Sequence, residues 1–360
     1  QWTKDNWILF NSNVLYKMNR FIMNRFIMEV KMMTTIKEVA KLAGVSVGTV
    51  SKVINNQDGI KENNRKKVLD AVKKLNYEPN IHARTLSSGK TNLVSIVVPT
   101  VGFEFQKIFL KSLDDVLRKS NYDSVVFPLL SRDRLARFSS ESNFLFHTDA
   151  LILASLSPKN LFRDGRVPTH KPYLIVDSHG ESSNSVIIDN YLGGRLAGKH
   201  ISLEKNGKLF LIGGYEPDDA FSSGVFSERK RGFEDALRER GIESKEIEFK
   251  NIVLDWNQAF DFGARISRTE KKFSVFSVSD LVAWGFIEGC RTNGLCAGKD
   301  FHIIGYDDLS FSQKIGLTTI SQPISELGEV AAEKVVEKIK GAANIENIVL
   351  SPRYVERTSN

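Results

Sequence analysis

TIKEVAKLAGVSVGTVSKVIN, residues 35–55, is the stretch on which the reading of this chain turns. It has the spacing of two short helices joined by a tight turn. Ala40 is small where the second helix crosses close to the first, and Gly44 allows the turn without a Cβ penalty. Val39, Ala43, Val45, Val50 and Val53 supply the apolar periodicity around them. Ser46 is placed to cap the second helix, which is expected to run to about Asn55. A second helix set in this way is the one that lies in a DNA major groove. A third helix is expected over residues 61–76, with Val68, Leu69, Val72 and Leu75 on one face. Tyr77 and Pro79 end it, because proline restricts the residue before it.

The charge follows the motif. The chain has 360 residues and a formal net charge of +7. Residues 31–90 carry twelve Lys and Arg against five Asp and Glu, whereas residues 91–360 carry 34 against 36. Attraction to phosphate is the direct physical reading of such an asymmetry. A solvated basic face explains the charge equally well taken alone, and the coincidence with the motif favours DNA.

Composition excludes several classes. A hydrophobic content of 41% and a charged content of 26% describe an ordinary soluble protein, long enough for two or three domains. Cys290 and Cys296 cannot form a disulfide scaffold and read as ordinary residues of a reducing compartment. No histidine cluster or Cys-x-x-Cys pair suggests a metal site, no cofactor is expected, and no apolar run of ~18 residues suggests a membrane span. Residues 1–32 differ in texture: NRFIM occurs twice, at 19–23 and 24–28, and all five methionines lie between Met18 and Met33. This segment is expected to be a non-native or disordered upstream extension, with the true start at Met32 or Met33. An amphipathic surface helix is the alternative.

After the motif, residues 33–78 are expected to form a DNA-binding headpiece and residues 79–91 a hinge helix and linker. Residues 92–360 change to alternating strands and helices. Strands are expected at 93–98, 124–129, 150–154, 173–176, 208–212, 273–278 and 301–304, with helices at 105–119, 191–203, 228–240 and 281–292. Such alternation argues for an α/β core of doubly wound parallel sheets. Its length suggests two lobes, with a ligand cleft at the strand C-termini.

The two halves together resemble the LacI/GalR family of bacterial transcription regulators, over essentially residues 34–359. The resemblance is carried by TIKEVAKLAGVSVGTVSKVIN and by RKKVLDAVKKLNYEPNIHARTL at residues 65–86. Further landmarks are Val98-Pro99, Asp177, Asp189-Asn190-Tyr191, the run from Arg229 to Phe233, Gly305 to Asp308, Leu317 to Gln322, and Arg357 to Ser359. The resemblance implies an all-α headpiece, a hinge helix, and a two-lobed core shaped like periplasmic sugar-binding proteins. It also implies a cytoplasmic homodimer on a near-palindromic operator, with operator affinity set by a small effector, commonly a sugar or nucleoside. A dimer is expected rather than a tetramer, since no leucine heptad follows Arg357.

By the family pattern, Val47 and Gly48 open the recognition helix and face base edges. Val47 can touch a thymine methyl, and Gly48 offers no side chain. Lys52 stands where many relatives carry arginine and lacks the planar fork. Thr49, Ser51 and Asn55 are candidates at the phosphates, which position the helix without naming bases, and Ser46 is counted with them as DNA-binding; helix-surface filler explains Thr49 and Ser51 as well. In the hinge, Asn80 opens the segment, Arg84 reaches phosphate or minor groove, and Leu86 matches the leucine wedge that kinks the central base step. His82 departs from the small or aliphatic residue of the pattern. Lys61 stands where relatives place a capping serine, a loss of roughly 1 kcal/mol if nothing replaces it.

For the effector, the resemblance points to Arg229 as the donor to ligand hydroxyls or carboxylate and to Asp307 and Asp177 as acceptors from hydroxyls, with Gln322 nearby. Trp256 matches a position where some relatives stack an aromatic on a sugar, and core packing explains it equally well. Ser279 replaces an asparagine, and Thr100 and Phe103 follow the first strand in a departure from Asn-Pro-Phe-Phe. The expected ligand is a carbohydrate or related metabolite. No nucleophile–base constellation stands out, so an enzyme is not expected. A sugar-binding transport receptor is the alternative favoured by the core alone, and the DNA-binding headpiece argues against it.

Overall fold

The fold is described from a computed structural model, which describes residues 34–54, 57–77, 90–140, 148–162, 164–179, 183–204, 207–214, 221–252, 254–343 and 345–360. The chain divides into two compact units, Gln1–Lys90 and Thr91–Asn360. The NRFIM repeat, Asn55, and the hinge residues Asn80, His82, Arg84 and Leu86 lie outside the described residues.

The first unit holds α1 (Ile36–Ala43), α2 (Val47–Ile54) and α3 (Glu62–Lys74). Thr35 and Glu38 close a capping box on α1, satisfying two otherwise unpaired backbone donors. Gly44 ends that helix at φ 63°, the left-handed region that its missing Cβ permits. Ser46 Oγ accepts from the Thr49 amide at 3.1 Å, the expected cap of α2. Val39, Ala40, Ala43, Val50, Val53, Val68 and Ala71 form the buried centre, with Val72 and Leu75 half-buried around it. Leu69 is a correction: it is 51% exposed, and Ala71 takes the inward position instead. Lys61 gives α3 no side-chain cap, as its substitution for serine predicts.

The second unit is two lobes, each a six-stranded sheet with helices on both faces. The first sheet has the order β11-β5-β4-β3-β1-β2, from β1 (Leu93–Val98), β2 (Asp123–Pro128), β3 (Ala150–Ala154), β4 (Tyr173–Val176), β5 (Ser185–Ile188) and β11 (Ile348–Leu350). All of its pairings are parallel. The second has the order β12-β10-β9-β8-β6-β7, from β6 (Lys208–Gly213), β7 (Ile247–Asn251), β8 (Phe273–Ser277), β9 (His302–Asp307), β10 (Thr318–Ser321) and β12 (Arg353–Val355). It is parallel except for β12, which pairs antiparallel with β10. The chain therefore crosses between lobes after β5, after β10 and between β11 and β12. Helices α4 (Glu104–Lys119), α5 (Arg132–Ser140), α6 (Pro158–Leu161) and α11 (Ile324–Ile339) serve the first lobe; α7 (Asn190–His200), α8 (Val225–Glu239), α9 (Trp256–Thr269) and α10 (Asp280–Arg291) serve the second.

Every expected strand is found, with ends shifted by no more than three residues. Five strands were not anticipated, β5, β7, β10, β11 and β12, and helices α5, α9 and α11 add to the four given as examples. Buried β3 reads as a continuous apolar run, and β1 and β8 are broken only by buried serines, as expected of parallel strands covered on both faces. Phe210, Phe262, Phe273, Phe286 and Phe301 interlock edge-on, tilted and stacked at centroid distances of 4.8–6.0 Å in the second lobe. Burying each such ring contributes roughly 1.5–3 kcal/mol. Helices α7 and α8 meet backbone to backbone: a Cβ on Gly194 would lie 2.0 Å from the Arg229 carbonyl oxygen, and one on Gly232 2.0 Å from that of Tyr191. That close approach sets Arg229 beside Asn190.

Candidate functional site

Two sites follow, one on each unit. On the first, α2 presents Val47, Gly48 and Lys52 exposed and Thr49 and Ser51 half-exposed, while Val50 and Val53 anchor its opposite side. Ser46 and Thr49 bring their hydroxyls to 2.9 Å at the helix N-terminus. Among the described residues, a Cβ at position 48 would meet only Ser46 Oγ, at 3.8 Å.

In the second unit a cavity of ≈ 250 Å³ opens between the lobes. Its walls come from the loops at the C-terminal ends of the strands. Pro99, Thr100 and Phe103 follow β1, Ser155 follows β3, and Asp177 follows β4. Ser279 follows β8, Asp307 ends β9, and Gln322 follows β10. Ser155, Asp177, Leu254, Asp307 and Asp308 all have positive φ, between 36° and 123°. Such backbone is costly for residues with a Cβ and clusters at functional walls.

Arg229 is the centre of the polar network and only 3% exposed. Its Nε donates to Asn190 Oδ1 at 2.7 Å, Nη1 to the Val278 carbonyl oxygen at 2.7 Å, and Nη2 to Gln322 Oε1 at 3.4 Å. Nη1 lies 3.6 Å from Asp307 Oδ1, and the guanidinium carbon lies 3.8 Å from the centroid of the Tyr306 ring. Gln322 Nε2 donates to Asp307 Oδ1 at 2.6 Å. Burial pushes the Asp307 carboxyl up to about 7, outweighing the pull of Arg229, and nearby Asp280 adds to the rise. Asp177 is pushed up to about 6 by burial, against the Ser155 hydroxyl and Arg229. Ser155 Oγ donates to Asp177 Oδ2 at 2.7 Å, while Asp177 Oδ1 is buried without a partner among the described residues.

Of the residues expected at the effector, Thr100, Phe103, Asp177, Arg229, Ser279, Asp307 and Gln322 all line this cavity. Trp256 does not, which corrects its expected place on the wall. It begins α9, stacks on Phe260 at 5.2 Å and meets Trp284 edge-on at 6.0 Å. Trp284 in turn packs on the lining residue Phe311 at 4.9 Å. Ser279 caps α10 by accepting from the Leu281 amide at 3.3 Å. Sequence reasoning missed Gln106, Phe226, Leu309 and Phe311 on the wall. Phe226 lies three residues before Arg229, one helical turn away, so helix periodicity from the arginine was the available signal. Asp280, also missed, is fully buried and accepts from Ser312 Oγ and Thr319 Oγ1 at 2.6 Å and from the Leu309 amide at 3.1 Å, which fixes the loop carrying Phe311. Among the described residues no helix is long and apolar enough to cross a membrane, and no group of three His, Cys, Asp or Glu could hold a metal ion.

A headpiece of this kind joined to a two-lobed core with a lined cleft defines a ligand-responsive DNA-binding regulator. Comparison with known proteins agrees. Residues 35–80 match the family of bacterial regulatory proteins named for lacI, and residues 209–360 match the periplasmic binding protein-like domain. The chain is 31% identical to the HTH-type transcriptional regulator RegA of Clostridium acetobutylicum, over 91% of this chain and 99% of that protein. It is 31% identical to the ribose operon repressor of Lactococcus lactis, over 90% of this chain and 97% of that protein. The fold matches the lac repressor dimer bound to operator and an anti-inducer, with a TM-score of 0.74 at 22% identity over 91% of this chain and 98% of that one. The chain belongs to the lacI family of bacterial regulatory proteins and is a DNA-binding transcription regulator.

Proposed function

We propose that this regulator is a cytoplasmic repressor that binds a near-palindromic operator as a homodimer, and that a small carbohydrate-class effector in the cleft sets its operator affinity. The supporting observation is the joining, in one chain, of an exposed reading helix to a cleft whose polar groups come from both lobes. On the DNA side, Val47 meets base methyl groups, Lys52 reaches guanine acceptors, and Ser46, Thr49, Ser51 and Asn55 hold phosphates. Asn80, Arg84 and Leu86 act in the hinge, with Leu86 as the minor-groove wedge. On the effector side, Arg229, Asp307, Asp177 and Gln322 supply the polar contacts, Thr100, Phe103 and Ser279 complete the wall, and Trp256 supports it from behind through Trp284 and Phe311. The similarity to a ribose operon repressor supports the carbohydrate class.

The test begins with selection of a duplex from random DNA, followed by anisotropy titrations across salt concentrations. Sequence-specific, salt-sensitive binding is expected, with Leu86→Ala lowering affinity and DNA bending while effector binding is retained. Binding without sequence preference, or bending unchanged in Leu86→Ala, counts against the reading or the wedge respectively. A metabolite panel should then contain a ligand that shifts the titration, with the shift lost in Arg229→Ala.

A further inference from the structure

The cleft's donors and acceptors are unevenly committed. Each nitrogen of Arg229 already donates within the protein, and the amide nitrogen of Gln322 donates to Asp307. Among the described residues no lysine or histidine lines the cavity, and its carboxylates Glu104, Asp177 and Asp307 outnumber the one guanidinium. Two wall residues keep buried acceptors without a partner among the described residues: Asp177 through Oδ1 and Gln106 through Oε1. A buried polar atom left unpaired costs about 1–3 kcal/mol, so a ligand that brings donors gains from this wall. An anion gains nothing from it and meets an excess of negative charge where water screens poorly.

A neutral sugar is a weaker match than it first looks. Each hydroxyl brings lone pairs that need donors, and Arg229 has already given three of its five N–H groups, and Gln322 one of its two, to the protein. An ammonium group brings three donors and no acceptor. Phe103, Phe105 and Phe311 add aromatic rings to the same wall, and ring faces attract cations, as Phe226 already does for Arg229 at 5.1 Å. Resting on the cleft being the effector site, we propose that the effector carries a protonated amine that pairs with Asp177, an amino sugar being the form that fits the carbohydrate class.

The full-length chain is titrated calorimetrically with two matched sets. One holds 2-amino-2-deoxyhexoses, their parent hexoses and the hexose 6-phosphates. The other holds 2-phenylethylamine, 2-phenylethanol and phenylacetate. Within a set that binds, the amine should bind at least ten-fold more tightly than the neutral compound, and the anion more weakly than either. Asp177→Asn, with folding checked by circular dichroism, should abolish the preference for the amine. The wild-type order decides the proposal even if that variant fails to fold. An anion or parent hexose binding as tightly as its amine overturns it, as does the absence of amine binding in both sets. Hexoses binding as well as hexosamines would leave the carbohydrate reading standing while removing this one. Phenylethylamine binding without any sugar would do the reverse.

Discussion

Asp177 shows how one side chain links the cleft to the stability of the core. Its carboxyl is held at about 6, against an ordinary 3.8, because burial disfavours the charge more than Ser155 and Arg229 favour it. The folded chain therefore keeps this proton where the unfolded chain has released it. Its contribution to stability falls as pH rises from about 4 to about 6, and above that range it no longer changes. Asp307 acts in the same direction up to about 7. Asp177→Asn should flatten the fall of the core's urea midpoint between pH 4 and 6 and leave the part due to Asp307. A midpoint profile identical to that of the wild type would mean that Asp177 ionises normally in the folded protein. Arg229 carries a different lesson at this scale. Its identity as a cleft residue was legible in the Arg-x-x-Gly-Phe pattern, but its bonds to Asn190, Val278 and Gln322 were not, since they join positions 39, 49 and 93 residues away.

Among the elements, the headpiece helices illustrate both what local sequence states and what it withholds. Gly44 and Ser46 read correctly because turn and cap chemistry is local. Thr35 and Glu38 formed an equally local signal, a capping box, that the reading did not use. Leu69 was misplaced because it lies one residue, about 100°, round the helix from Val68, whereas Ala71 completes the spacing of Val68, Val72 and Leu75 that packs against α1 and α2. Strands such as β11 and β12 are three residues long, too short for periodicity to register. They form because the second and third crossings deliver β11 and β12 to sheet edges. Trp256 failed for another reason: a motif gives an aromatic its place in the chain but not which way its helix turns it. The uncapped start of α3 offers a direct test. Lys61→Ser should raise headpiece stability by about 1 kcal/mol, seen as a higher melting midpoint for the α-helical signal of residues 33–78. An unchanged midpoint would show that another group already serves the first turn.

At the scale of the whole core, the lobes do more than face each other. Leu309 and Phe311 follow β9 of the second lobe, yet they pack in the hydrophobic cluster of the first. Glu104, at the start of α4 in the first lobe, accepts from the Ser310 amide between them at 3.1 Å. Parting the lobes must draw both side chains out of that cluster, at a cost of roughly 1.5–3 kcal/mol for buried Leu309 and less for half-buried Phe311 if they become fully exposed. If ligand enters only when the lobes part, the observed association rate is the intrinsic rate scaled by the open fraction. Phe311→Ala should accelerate association in stopped-flow by roughly ten-fold or more, with dissociation accelerated as well. If both rates stay at wild-type values, the loop is not the door. With the loop as the door, the regulator has a built-in delay, and brief pulses of effector shorter than the opening time would leave the operator undisturbed.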